Sequence, residues 1–210
     1  MTPAELEARL DPVASWSPDR LWTRSDFDLN PGATPDPAPP RPAAVLIALT
    51  PGLAGLDLIL TRRADGLARH TGQIALPGGR LDPGETAVEA ALREAWEEVA
   101  LPSERVRVLG LADAYRTGTG YLVTPVVGWV DDLPPLRPEP AEVAEIFTVP
   151  WAFLMDPANH RRDHYELDGV RRHFWTIDWQ GRAVWGATAG MLIGLHDRLT
   201  AAASDRVGAR

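Results

Sequence analysis

There is no cysteine among the 210 residues, so disulfide frameworks, thiolate zinc sites and cysteine nucleophiles are excluded, and any metal must be held by oxygen or imidazole. Long apolar runs are missing too: the longest aliphatic stretch, "AAVLIAL" at 43–49, is far too short to cross a bilayer. The start, "MTPAELEARL", carries glutamates and no apolar segment, so it does not read as a secretory signal. A cytoplasmic location with no membrane partner is the expectation. Basic excess is also absent. A net charge of −8 argues against nucleic acid as a partner, which normally needs a basic face to neutralise phosphates. It leaves room for a small phosphorylated ligand held by a few local arginines. No internal repeat is visible.

What is present has the balance of an ordinary globular protein, with 45% hydrophobic and 24% charged residues and a length that suits one sizeable core. Residues 1–42 read as an N-terminal extension: a short helix over 3–10, then "NPGATPDPAPPRP" at 30–42, too rich in proline for a regular element and so a semi-rigid arm. The folded body is expected over 43–203, with a tail at 204–210. "AAVLIALT" and "DLILTRR" read as two strands joined by the turn-rich "PGLAG", most simply a hairpin. "GQIALPGGRLDPGE" implies a strand and then a tightly shaped loop.

The strongest helical signal runs from Thr86 to Val99. Thr86 and Glu89 form the S/T-x-x-E capping-box pattern, and Val88, Ala91, Leu92, Ala95 and Val99 follow the spacing of an apolar stripe. "RVRVLGLA", "YLVTPVVGWV" and "EIFTVP" read as further strands, and "WGATAGMLIGLHDRL" from Trp185 as a closing helix. The order predicts a mixed α/β sandwich.

Within "REAWEEVA", Glu94, Glu97 and Glu98 stand at i, i+3 and i+4, so their carboxylates crowd one side of the helix. Such a face is commonly nothing more than a solvated surface. The context points elsewhere: Gly78-Gly79, Asp82, Pro83, Gly84 and Glu85 launch the helix, and glycines there let backbone groups approach a ligand closely, which a plain solvated helix does not need. A hard dication that prefers several oxygen ligands would offset the repulsion.

At this point the chain resembles the Nudix hydrolases, whose signature is G-x5-E-x7-R-E-U-x-E-E-x-G-U with U aliphatic; here it runs Gly79, Glu85, Arg93, Glu94, Ala95, Glu97, Glu98, Ala100, Leu101. Every charged position is present, and the one departure is Ala100 in place of the glycine that helps end the helix. Leu60 to Gly79 is similar to the segment preceding this box in the coenzyme A diphosphatase branch, with Leu60, Thr61, Arg63, Ala64, Gly72, Pro77, Gly78 and Gly79 matching. Ala68 replaces that segment's second arginine, with Arg69 one residue later, and Leu76 replaces its phenylalanine. "GYLVTPVVG" and "VWGATAGML" also look like that branch.

The resemblance implies a Nudix-type α/β/α sandwich with a mixed β-sheet and a catalytic loop-helix. It implies hydrolysis of a nucleotide's pyrophosphate with Mg²⁺ or Mn²⁺, the small-molecule partner being of the coenzyme A class. By carry-over Glu94 and Glu98 are metal ligands with Glu97 as an additional one, Arg93 and Glu85 orient the carboxylates, and Gly79 offers a carbonyl. Which glutamate serves as general base varies across the family. Arg63, Arg69, Gly78 and Gly79 are the expected substrate contacts; Arg62 and Arg63, adjacent on a strand, must point to opposite faces. Another nucleoside diphosphate derivative as substrate, and a non-catalytic nucleotide-binding regulator, are the rival readings. Oligomeric state stays open, with a homodimer among the options.

Four other features have plainer readings. Trp96 is expected in the core. His160 and His164 read as surface residues of a loop. "VRRHFW" at 170–175 suits either a half-buried strand or stacking of an adenine. Glu142 and Glu145 read as an exposed strand entry, with a carboxylate for the site as the alternative.

Overall fold

A computed structural model describes residues 1–65, 72–167 and 169–201. One mixed sheet is built from β1 (Arg24–Ser25), β2 (Arg41–Gly52), β3 (Gly55–Arg63), β4 (Ile74–Ala75), β5 (Gly78–Arg80), β6 (Arg107–Leu111), β7 (Tyr115–Arg116), β8 (Tyr121–Trp129) and β9 (Val143–Pro150). A second, antiparallel sheet comprises β10 (Arg161–Leu167), β11 (Val170–Trp179) and β12 (Arg182–Trp185). The α-helices are α1 (Pro3–Glu7), α2 (Ala87–Val99), α3 (Trp151–Leu154) and α4 (Ala187–Thr200).

The aliphatic run at 43–49 lies in β2, which is covered on both faces and therefore reads as a continuous apolar string rather than an alternating one. Successive side chains point to opposite faces. Ala44, Leu46 and Ala48 pack with Ala87, Ala90, Ala91 and Ala95 of α2, while Ile47 and Leu49 share a second cluster with Leu192 and Leu195 of α4 and with Ile177 and Val184 of the small sheet. The result is an α/β/α sandwich. β2 pairs in parallel with β8 from Arg41↔Tyr121 to Leu49↔Trp129, forms the expected hairpin with β3, and takes β5 antiparallel through Val45↔Gly78. That last pairing brings the glycine-rich loop to the middle of the sheet.

The segment ahead of Ala43 contributes to this core. Leu6 and Leu10 are buried, Asp11 bridges to Leu111, and Arg198 of α4 donates to the carboxylates of Asp11 and Asp113. The proline-rich stretch is tacked down by its backbone carbonyls: Arg116 Nη2 donates to the oxygens of Asp36 at 3.3 Å and Ala38 at 3.5 Å.

Helix α2 begins as the capping box requires, with the Thr86 hydroxyl accepting from the Glu89 N–H and the Glu89 carboxylate accepting from the Thr86 N–H. It ends as a glycine would end it, although no glycine is present: Ala100 takes the left-handed conformation at φ 55° and ψ 37°, and its N–H still reaches Trp96 O at 3.0 Å. A Cβ in that region is strained, whereas glycine adds unfolded-state entropy. We expect Ala100→Gly to stabilise the fold by roughly 0.5–1 kcal/mol, a rise of about 1–4 °C in melting temperature, with activity unchanged. An unchanged or lower melting temperature in calorimetry would contradict this account of the helix end.

Candidate active site

Arg93 organises the loop and the helix into one unit. Its Nε and Nη2 donate to the two oxygens of Glu85 at 2.9 and 3.0 Å, and Nη2 also reaches Arg80 O at 3.0 Å. Nη1 donates to Glu94 Oε1 at 3.0 Å and Glu97 Oε2 at 3.1 Å. A planar guanidinium with five donors in a fixed fork suits this better than an ammonium. Glu85 in turn accepts from the Asp82 N–H at 2.8 Å, closing the loop on itself. Arg93 holds the Glu85 carboxyl below its ordinary range, and the carboxylates push the Arg93 guanidinium further up.

The three glutamates of "REAWEEVA" end in different environments. Glu97 is exposed, Glu94 is half-buried and Glu98 is buried at 3% exposure. Alanines at 87, 90, 91 and 95 let the helix approach the sheet closely, which carries Glu98 below the surface. Desolvation pushes the Glu98 carboxyl up to about 8, opposed by Arg63, whose Nη1 stands 3.8 Å from Oε1, and by the Gly78 N–H, which donates to Oε2 at 3.3 Å. Desolvation raises Glu94 as well, offset by Arg93. At Gly79 an added Cβ would meet the Glu94 carboxylate, so the glycine lets β5 lie against that side chain where it stands.

Arg63 and Arg62 diverge. A register shift between them in the β3–β9 pairing turns Arg63 towards Glu98, while Arg62 pairs with Asp65 at 3.1 Å and Glu145 at 3.7 Å. Glu145 is further occupied by Arg182 at 2.7 Å. Glu142 is different, an exposed carboxylate whose charge raises both Glu94 and Glu98. It arrives from the entry to β9, outside the helix, where no local spacing in the sequence could mark it. Arg69, and Ala68 with it, lies outside the described residues.

Two expectations are corrected here. Trp96 is 55% exposed rather than in the core, because the alanine-lined inner face of α2 sits too close to the sheet to admit an indole. His160 is partly buried, not a surface residue: its Nε2 lies 2.7 Å from Leu154 O and its ring packs against His196. His164 stands on β10 with its side chain largely in solvent.

Carboxylates supply the metal-suited donors here, Glu94 and Glu142 bearing on Glu98 and Glu97 bearing on Glu94, a set of oxygens that suits a hard dication rather than zinc or copper. Among the described residues no three acidic or histidine side chains form a ready cage. The reason is on the helix itself, since Arg93 engages Glu94 and Glu97, and a cation would take their oxygens from it.

Residues 39–168, well over half of the chain, match the NUDIX domain family model. The chain belongs to the Nudix family. Among its curated relatives is an uncharacterized Nudix hydrolase, NudL, of Pectobacterium atrosepticum, 41% identical over 161 residues that cover 72% of this chain and 79% of the relative. NudL of Escherichia coli strain K12 is 40% identical over the same shares. Of the solved structures, the Nudix hydrolase RenU of M. smegmatis aligns with a TM-score of 0.47 and 28% identity, covering 55% of this chain and 73% of its own. Nudix hydrolases cleave nucleoside diphosphate derivatives and use divalent metal ions such as Mg²⁺ or Mn²⁺. The Nudix signature here is the set of residues that Arg93 ties together, with Glu98 beneath them.

Proposed function

We propose that this Nudix hydrolase acts on coenzyme A or its acyl thioesters, adding water across the pyrophosphate to give 3′,5′-ADP and (acyl-)4′-phosphopantetheine. The observation that carries the substrate class is the stretch Leu60 to Gly79, which resembles the coenzyme A diphosphatase branch and brings the Arg63 guanidinium within 3.8 Å of Glu98. Glu94 and Glu98 would hold the metal, with Glu97 as a further ligand. A bound Mg²⁺ or Mn²⁺ neutralises the charge of the diphosphate and activates water.

The chain's own residues supply the rest. Burial pushes the Glu98 carboxyl up to about 8, so a cation bound to its oxygens would have to displace a proton. Arg93 holds Glu94 in place, and Arg63 faces the diphosphate. We assign the acceptance of the attacking water's proton to Glu142, the carboxylate outside the helix whose charge bears on both Glu94 and Glu98. One bridging P–O bond breaks, one forms to the water oxygen, and the departing phosphate keeps the bond electrons.

Incubation of the purified protein with coenzyme A and Mg²⁺ or Mn²⁺ is expected to release 3′,5′-ADP and 4′-phosphopantetheine, identified by mass spectrometry. A panel with ADP-ribose and dinucleotides, compared by kcat/KM, sets the competition. No product from coenzyme A alongside fast cleavage of another diphosphate would overturn the substrate, and no turnover of any would favour the nucleotide-binding regulator.

A further inference from the structure

A cavity of about 670 Å³, lined by none of the carboxylate cluster, lies between the N-terminal segment and the small sheet. Its floor is the outer face of that sheet. The pairings Tyr165↔Arg172 and Thr176↔Trp185 place Tyr165, Arg172, Phe174 and Trp185 on one face, opposite the buried Ile177 and Val184. The three aromatic rings form a row, with centroids 5.9 Å apart from Tyr165 to Phe174 and 5.3 Å from Phe174 to Trp185. Tyr165 is 47% and Trp185 36% exposed, so the row is apolar surface left open inside a concavity. Asn30 fixes the opposite wall, its amide donating to His173 O at 2.9 Å and accepting from His173 N at 2.8 Å.

Charge decides what fits. Asp26 and Asp36 line the cavity, against Arg172 on the floor. Two carboxylates against one guanidinium leave no excess of positive charge for a phosphate to seek. Flat open rings with polar edges suit a neutral planar heterocycle instead.

Hydrogen bonds link the lining of the cavity to the side of the carboxylates. Gln73 lines it, and the Gln73 carbonyl accepts from the Arg63 N–H at 3.0 Å, while the Arg63 side chain faces Glu98. On the other side Thr119 lines it, and its carbonyl accepts from Arg41, which stacks on Tyr121 at 4.1 Å; the Tyr121 hydroxyl accepts from Arg80, and the Arg80 carbonyl accepts from Arg93. Arg63 on one side and Arg41 and Arg80 on the other thus stand between the cavity and the acidic centre.

We propose that this cavity is the nucleobase subsite, in which the adenine of the diphosphate substrate stacks on Phe174 and Trp185. The assignment rests on the reading of the carboxylate cluster as a nucleoside-diphosphate hydrolase centre, though not on coenzyme A being the substrate.

The test is calorimetric titration of the intact protein in EDTA with three probes, ADP, CDP and 4′-phosphopantetheine. Phe174→Ala and Trp185→Ala, checked for fold by circular dichroism, are each expected to weaken ADP binding about tenfold or more and to leave 4′-phosphopantetheine unchanged, because stacking on one aromatic side chain is worth that much. Trp185→Phe, which restores a flat ring, is expected to recover most of the loss, and CDP, with a smaller base, to bind more weakly than ADP. Unaltered ADP affinity in both alanine variants, or a loss confined to 4′-phosphopantetheine, overturns the subsite even if coenzyme A is cleaved. Loss of ADP affinity in a protein that does not cleave coenzyme A keeps the subsite and discards only the substrate.

Discussion

Glu98→Gln is expected to lower turnover by about a thousandfold and, in the same protein without metal, to raise the melting temperature at alkaline pH. Both follow from one burial. A carboxyl that ionises near 4.5 in the unfolded chain and near 8 in the folded one binds more protons folded than unfolded between those values. Its ionisation therefore destabilises the fold increasingly as pH rises from about 4.5 to 8, and the full penalty persists above that.

Glutamine is not ionised, so the variant gains nothing at pH 4 and most at pH 8–9, on the order of 1–3 kcal/mol or roughly 2–10 °C at this chain length. Saturating Mn²⁺ reverses the order, because an ion that binds only the native state stabilises the wild type and finds a weaker site in the variant. Melting curves at several pH values, with EDTA and with Mn²⁺, read all three effects. A variant no more stable than wild type at pH 9 in EDTA would show that Glu98 is not held neutral by desolvation.

Arg93→Ala is expected to remove both stability and activity. It takes away donors from Glu85, Glu94 and Glu97 at once, and leaves Glu85 and Glu94, 13% and 16% exposed at the side chain, without a cation. For a site open to solvent on one side the cost is roughly 1–3 kcal/mol, below the figure for a fully buried pair. Turnover falls about a hundredfold because Glu94 loses the partner that orients it. Arg93→Lys recovers little, since one ammonium cannot reproduce the bidentate contact to Glu85.

The pH dependence has the opposite sign from Glu98. Arg93 depresses the Glu85 carboxyl below 4.5, so the stabilisation is present above that value and is lost as pH falls through the lower folded one. The gap in melting temperature between wild type and Arg93→Ala should narrow on acidification from pH 6 to pH 3. A gap independent of pH would mean that Arg93 acts by packing alone.

Much of the fold could be read locally. The capping box at Thr86 and Glu89, the hairpin of β2 and β3, and the cluster of glutamates are all fixed by spacing along one element. Features set by distant contacts could not. Prolines over 30–42 mark the absence of a regular element, yet say nothing of Leu6 and Leu10 entering the core or of Arg116 fastening the carbonyls of Asp36 and Ala38. Trp96 misled because an apolar residue is ordinarily taken inward, whereas the alanines beside it had already closed the inner face. Glu142 was visible only as one of two carboxylates near a strand entry, and its separation from Glu145, which is occupied by Arg62 and Arg182, needed three dimensions.

Alanines at 87, 90, 91 and 95 have been described as packing residues, but they also set a length. Small side chains on α2 meet Ala44, Leu46 and Ala48 of β2, and the depth of Glu94 and Glu98 follows from how closely that helix lies on the sheet. Side chains with no charge and no contact with a nucleotide thus act as spacers for the acidic centre. Their small size, as much as the acidity of their neighbours, places one glutamate at the surface and another beneath it.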